Sequence, residues 1–351
     1  MDGREVVGRR LAANGLSGPP RSSPGEVVRH LLAVQSQDVH PSAWAIGQRC
    51  GASEPEVQRA RAAGELLRTH VLRTTWHDVA PKDLRWLLQL TGGRVRAQIT
   101  RARTEEGLTD EVLTTGRRAL DGALPGRHLT RPQVGALLRE HGLELGSRAL
   151  GILLMQLELE GQLCSGVPAG RAQTYALLDE RVGPAPDGDP EEATAELVLR
   201  FLRGHGPATV RDLAWWSSLL VRDLRAALAG LGSAVRRDDV DGLELWSATA
   251  APPPGPPTGT QLVQAYDEHL VAFTQSKALV DPTRATSSRS GPYLAVVLQD
   301  GRVAGSWRRV PRADRVVVEA LLIRPVTGLH EAAQAYGAFV GLPVELREQV
   351  G

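Results

Sequence analysis

Lysine is nearly absent from this chain. Lys82 and Lys277 are the only two in 351 residues, so almost every basic side chain is arginine. That leaves few amines for Schiff-base chemistry. Cysteine is as scarce. Cys50 and Cys164 give neither a disulfide framework nor a zinc spacing, and both read as reduced core residues. Excess charge of either sign is missing too. With 41 basic and 40 acidic residues the formal charge is +1. Bulk electrostatics therefore lends no support to nucleic-acid binding, which would need a local patch. No apolar run is long enough to span a membrane and the N-terminus lacks a signal core, so a cytoplasmic protein with no membrane partner is expected. The nine histidines show no metal-ligand spacing. There is no P-loop, dinucleotide fingerprint or nucleophile elbow. Neither a metal nor a cofactor is expected.

What is present is a chain of α+β character, long enough for two or three compact units. Residues 1–125 read as mostly helical. Val27, Val28, Leu31, Leu32 and Val34 repeat at helical spacing and predict a helix running to Gln35. Glu56–Leu67 and Pro81–Leu90 read as helices, and Leu72–Val79 as a strand carrying Trp76 and His77. Residues 126–183 run helix, helix, hairpin. Thr130 and Ser147 can cap the helices, and Leu163-Cys164 and Thr174–Leu177 flank a Gly/Pro-rich tip. That is the plan of a winged helix. It recurs over residues 190–250, where Asp241-Gly242 is a favoured hairpin turn. Pro252–Pro257 reads as an extended linker. Strand signals at 262–263, 270–273, 293–298, 302–307 and 315–322, with a turn at Asp300-Gly301, suggest a small antiparallel β unit over 260–351. A helix from Glu331 to Gly337 closes it.

Gln35 and Gln37 stand at the end of the helix predicted from Val27. Gln35 continues its apolar stripe, so its amide must find partners or line a cavity. Two residues of α-helix rotate a side chain by roughly 200°, so the glutamines converge only if the helix loosens near Ser36. Pro41 disfavours helix at the residue before it and places a helix end nearby. The bland alternative is a polar helix end with one buried and one exposed glutamine.

Four segments in one order carry a resemblance. They are Leu32–Asp38, Arg73–Ala80, Ala265–Glu268 and Asp300–Arg309. Together they resemble the winged-helix DNA glycosylases of the AlkZ type. The resemblance implies three tandem winged helices followed by a C-terminal β-barrel. It also implies a catalytic Gln-x-Gln pair, which maps onto Gln35 and Gln37. A sister branch similar to YcaQ has aspartate at the second position, so Gln37 places this chain nearer the AlkZ branch. The implied activity is monofunctional hydrolysis of the N-glycosidic bond of bulky or crosslinked alkylpurines, chiefly N7-alkylguanine in double-stranded DNA. An abasic site would remain, and the implied role is self-resistance to a genotoxic natural product in a bacterium. The protein would act as a monomer.

Other residues have two readings. Asp38 is either an electrostatic helper or a solvated neighbour of the pair. His77 either supports the glutamines, by binding phosphate or orienting a loop, or is a hydrogen-bonded core histidine. Arg94 and Arg101 belong either to a phosphate-contacting ridge or to a solvated helix. Arg308 and Arg309 either reach a backbone phosphate or decorate a strand edge. Trp215-Trp216 reads as core rather than as a base-stacking pair, and Lys277 reads as exposed. The alternative function is a non-catalytic tandem winged-helix DNA-binding protein or transcription regulator. Against it, the helix from Ala149 to Glu160 has almost no basic face.

Overall fold

The computed structural model describes residues 1–185, 188–251, 253, 259–284, 286 and 294–351. The expected linker 252–257, apart from Pro253, and Tyr293 of one expected strand lie outside the described residues.

Helix α1 (Gly3–Asn14) starts on the Asp2 carboxylate, which accepts from the N–H groups of Arg4 and Glu5. Helix α2 (Pro24–Leu31) starts on Ser23 and stops early. Leu32 has φ +67°, which ends the helix, and β1 (Ala33–Gln35) follows. Gln35 is thus on a strand, not on the helix expected from the apolar spacing. Helix α3 (Val39–Cys50) begins just beyond, with Pro41 inside its first turn. A first-turn residue needs no intrahelical N–H partner, so Pro41 sits near a helix start and not a helix end.

After α4 (Glu54–Ala63) come β2 (Leu67–His70) and β3 (Trp76–Val79). The three strands form an antiparallel sheet in the order β1-β3-β2, a sheet the mostly helical reading left out. Helix α5 (Pro81–Glu105) is a single run of 25 residues. The next stretch holds α6 (Asp110–Ala123), β4 (Leu129–Thr130), α7 (Arg131–Glu140), α8 (Ser147–Leu159), β5 (Leu163–Ser165), β6 (Thr174–Leu177) and α9 (Leu178–Arg181). Its strands pair in the order β4-β6-β5. Then follow α10 (Pro190–His205), α11 (Val210–Ser217), α12 (Val221–Gly230) and the hairpin of β7 (Val235–Val240) with β8 (Leu243–Ala248). The hairpin turns at Asp241 and Gly242, with φ +50° and +77°.

The last region holds β9 (Thr260–Val263), α13 (Glu268–Val271), β10 (Ala295–Gln299), β11 (Arg302–Pro311), β12 (Val316–Leu322), α14 (Leu329–Val340) and β13 (Val344–Val350). Residues 270–273, expected as a strand, begin inside α13. The strands make one row, β13-β12-β11-β10-β9, and among the described residues no closed barrel is found. Nor is the sheet purely antiparallel. Helix α14 carries the chain back across the sheet, so β13 lies parallel to β12. The fold is mixed α+β, with an open five-stranded sheet where a barrel was expected.

This sheet shares a core with the N-terminal helices. Trp44 of α3, Trp307 of β11 and Tyr336 of α14 meet with ring centroids 5.2 Å and 5.0 Å apart. Both indoles donate to β9 carbonyls, Trp44 to Leu262 at 2.7 Å and Trp307 to Val263 at 2.9 Å. Burying each such ring stabilises by about 1.5–3 kcal/mol. Gly301 is needed where its turn meets α1, because a Cβ there would lie 2.6 Å from Val7. Strand β1 separates two cores. Val34 packs with the Trp44 cluster, and Ala33 with a second core containing Leu67, Phe201, Trp216 and Phe273.

Candidate active site

Three of the four resembling segments meet at one cleft of about 600 Å³. Gln35 and Gln37 line it, with Arg73, Tyr266, Trp215 and Lys277 among the other lining residues. Clefts of about 610 Å³ between α3 and α14 and about 750 Å³ beside α1 contain nothing from Leu32–Asp38 or Arg73–Ala80. The fourth segment, Asp300–Arg309, lies outside the cleft. Its Trp307 serves the core, as described above.

Both glutamines line the cleft, Gln35 from the end of β1 and Gln37 from the bend that follows it. Residues two apart on a helix do not share a face. The extended course continues past β1, where the Ser36 N–H donates to the Trp76 carbonyl at 2.7 Å. Arg68, stacked over the Trp76 ring at 4.3 Å, donates to the Ser36 carbonyl at 2.8 Å and holds the turn into α3. Gln35 is buried and Gln37 exposed.

Arg73 fixes the Gln35 side chain. Its guanidinium donates to Gln35 Oε1 at 2.9 Å, to His77 Nε2 at 3.1 Å and to the Trp216 carbonyl at 3.1 Å. A guanidinium only donates. Gln35 Oε1 and His77 Nε2 are therefore the acceptors, and the Gln35 Nε2 group has no hydrogen-bond partner among the described residues. Burial and the neighbouring Arg73 charge hold the His77 pKa well below the ordinary imidazole value. His77 is a neutral ring one layer behind the cleft, where it cannot reach a phosphate.

Glu268 anchors the backbone of the same strand. Its Oε1 accepts the Gln35 N–H at 2.8 Å and its Oε2 accepts Trp216 Nε1 at 2.9 Å. The neighbouring Asp267 pairs with buried Arg49 through two bonds of 2.9 Å and 2.8 Å. Burial pushes both carboxyls up, but the bonded and charged partners prevail and hold them below their ordinary values.

The far wall is built around buried Asp212. One of its oxygens accepts the N–H groups of Thr274 and Gln275 at 2.8 Å each. That sets the course of the segment ending at Lys277, which is half-buried in the cleft wall and not exposed as expected. Burial lowers its pKa, and Asp281 partly opposes this. Trp215 also departs from expectation. Trp216 is fully buried, but Trp215 is 52% exposed at the cleft.

The other residues singled out from sequence lie elsewhere. Asp38 is exposed at the start of α3, makes no capping bond and does not line the cleft. Arg94 donates to the carbonyl of Ser218, a cleft residue, at 2.6 Å. Arg101 turns to Glu105 and Arg308 to Glu319 in exposed ion pairs, and Arg309 is engaged with Tyr336. None of these four arginines lines the cleft. Among the described residues no group of three or more His, Cys, Asp or Glu side chains is placed to hold a metal, and no helix is long and apolar enough to cross a membrane.

A family model described as DNA glycosylase AlkZ-like matches residues 28–339. An interstrand DNA cross-link repair glycosylase from Streptomyces sahachiroi is 27% identical over 348 residues, covering 91% of this chain and 93% of that protein. The solved structure of Streptomyces sahachiroi DNA glycosylase AlkZ superposes with a TM-score of 0.81 at 25% identity and covers 99% of each chain. Sequence match and fold agree: the chain belongs to the AlkZ-like DNA glycosylase family.

Proposed function

We propose that this enzyme is a monofunctional glycosylase for double-stranded DNA carrying N7-alkylguanine, bulky and crosslinked adducts included, with Gln35 and Gln37 as its catalytic pair. The supporting observation is the make-up of the cleft. Two glutamines line it together, and no Asp, Glu or His is among the lining residues.

A neutral purine needs a proton before it leaves, and no carboxyl or imidazole lines this cleft to give it one. Guanine alkylated at N7 is already cationic and departs unprotonated. The sugar passes through an oxocarbenium-like state that water captures. Gln35 offers the cleft its amide N–H groups, and a second lone pair remains on Oε1. Gln37 offers both a donor and an acceptor. Together they hold the water from two sides, so catalysis is mainly positioning. The Glu268 carboxylate beneath Gln35 offsets the Arg73 charge and limits repulsion of the positive sugar.

The cross-link repair named for the Streptomyces relative supports bulky and crosslinked lesions as the substrate class; a self-resistance role is part of the same proposal. We read residues 126–183 and 190–250 as winged helices serving as scaffold. In support, α8 buries most of its length, including Glu158 against His70, and so leaves little surface for a DNA groove. Arg94 is the best placed of the four arginines to meet a phosphate, through its bond to Ser218.

The test is release of N7-methylguanine from duplex DNA under single-turnover conditions. No release by the wild-type protein, from N7-methyl or bulkier N7 adducts, would end this assignment.

A further inference from the structure

Folding normally hides indoles, the largest apolar side chains. Trp44, Trp216 and Trp307 are buried here and Trp76, Trp86 and Trp246 half-buried. Trp215 is the only exposed Trp, Tyr or Phe among the described residues. It is nonetheless held in place. Its Nε1 donates to the Val271 carbonyl at 3.0 Å. That satisfies the one polar atom of the ring and leaves its apolar surface open to the cleft.

The position of Trp215 relative to Gln35 is set by the four-residue helix α13. Glu268 of that helix takes the Gln35 N–H on one oxygen and Trp216 Nε1 on the other. Val271 of the same helix holds Trp215. The exposed indole and the buried glutamine are thus registered against one short element, and both line one cleft. No hydrogen-bonding side chain need read the base for such a ring to grip it, because every base has a π-face. An indole face carries negative potential, so a cationic base is a better partner than a neutral one.

Resting on the N7-alkylguanine reading above, we propose that Trp215 is the platform on which the alkylated purine stacks while Gln35 and Gln37 act at its sugar. It selects the lesion by its charge and π-face. It contacts substrate and is a specificity residue for the reaction.

The experiment compares Trp215→Phe with Trp215→Leu. Both lose the Nε1 bond and both stay apolar, so any cost to folding is shared and the difference reports the aromatic face. The probe is a duplex with 2′-fluoro-N7-methylguanine, whose fluorine suppresses cleavage, against the same duplex undamaged. In Trp215→Leu, preference for the lesion duplex should fall about 10-fold, with Trp215→Phe falling about 3-fold, while affinity for undamaged DNA changes less than about 2-fold. Single-turnover release of N7-methylguanine should drop in the same order. Equal losses in the two variants, an unchanged preference, or an equal loss on undamaged DNA would overturn the proposal. If wild-type protein releases the base and any of these is found, only the stacking role falls. If wild-type protein neither prefers nor releases the base, the substrate reading falls with it.

Discussion

The backbone N–H of Gln35 donates to Oε1 of Glu268, 233 residues away, at 2.8 Å. Strand β1 lies at the edge of its sheet and pairs only with β3. Without Glu268 this buried N–H would lack a partner, at a cost of about 1–3 kcal/mol. The same carboxylate accepts from Trp216 and lies 3.4 Å from His205 Nε2. One buried charge therefore sets the depth of the candidate catalytic strand.

Gln35→Ala and Gln37→Ala should each lower single-turnover base release by about 10²-fold or more, the size expected from losing a positioned polar group. Affinity for undamaged duplex should stay within a few-fold. Near-normal excision by both variants would remove the pair from catalysis.

Arg73→Lys tests the orientation of Gln35. A lysine keeps the charge that faces Glu268 but cannot reproduce the planar fork that reaches Gln35, His77 and the Trp216 carbonyl together. The rate should fall about 10-fold or more, with the larger share of the loss in kcat and not in KM. A wild-type kcat in a folded Arg73→Lys protein would show that Gln35 needs no anchor.

Stability should depend on Glu268 in acid. Burial raises its pKa, but His205, Arg73 and Trp216 hold the folded value below the ordinary 4.5. A depressed carboxyl adds stability that is fully present above the unfolded pKa, here about 4.5, and lost as pH falls through the folded value. Glu268→Gln should cost about 3 kcal/mol at pH 7 by unbalancing the buried charges. It should also flatten the fall of Tm below pH 4.5. Asp267, depressed below 3.8, keeps some of that fall in place. Melting curves of the two proteins that run parallel between pH 7 and pH 3 would contradict this.

Neutral lesions should survive. With no carboxyl or imidazole lining the cleft to protonate a neutral base, uracil in DNA should be released at no more than background while N7-methylguanine leaves. Efficient uracil release would point to Lys277 or Tyr266 of the cleft as a proton donor.

Lys277 lines the cleft with a lowered pKa, so a Schiff base with the abasic sugar is the natural challenge to water as nucleophile. Borohydride added during turnover should trap no covalent product, and the strand should stay intact before alkali. Lys277→Ala should instead weaken DNA binding and reduce the salt slope by about 1, as for a lost phosphate contact. A trapped band that vanishes in Lys277→Ala would make the enzyme bifunctional.

The motif segments and most helices were legible because long periodic runs and caps mark them. Strand β1 was not. Three residues are too few to show a period, and the apolar run from Val27 to Val34 hides a break at Leu32 that no glycine announces. Strand β13 was missed because its apolar alternation is short: Val344 and Leu346 are followed by exposed Arg347, Glu348 and Gln349. The barrel expectation failed with it, since the parallel return through α14 is a tertiary choice. The Trp215-Trp216 doublet held a usable signal: neighbours on a helix point about 100° apart, so only one of them readily fills the core. Glu268 and Arg73 lay inside two of the resembling segments, yet their bonds to Gln35 depend on contacts far along the chain.

Those long-range contacts also order events during synthesis. Domains near the N-terminus fold first as a chain emerges, and contacts between distant residues carry a loop-closure cost that slows them. Gln35 leaves the ribosome early, but Glu268, Val271 and Lys277 follow more than two hundred residues later. Until they arrive, β1 lacks its anchor and the cleft lacks a wall. A nascent chain therefore meets DNA without the complete cleft, and on the proposed reading its activity begins only after that whole span has been made.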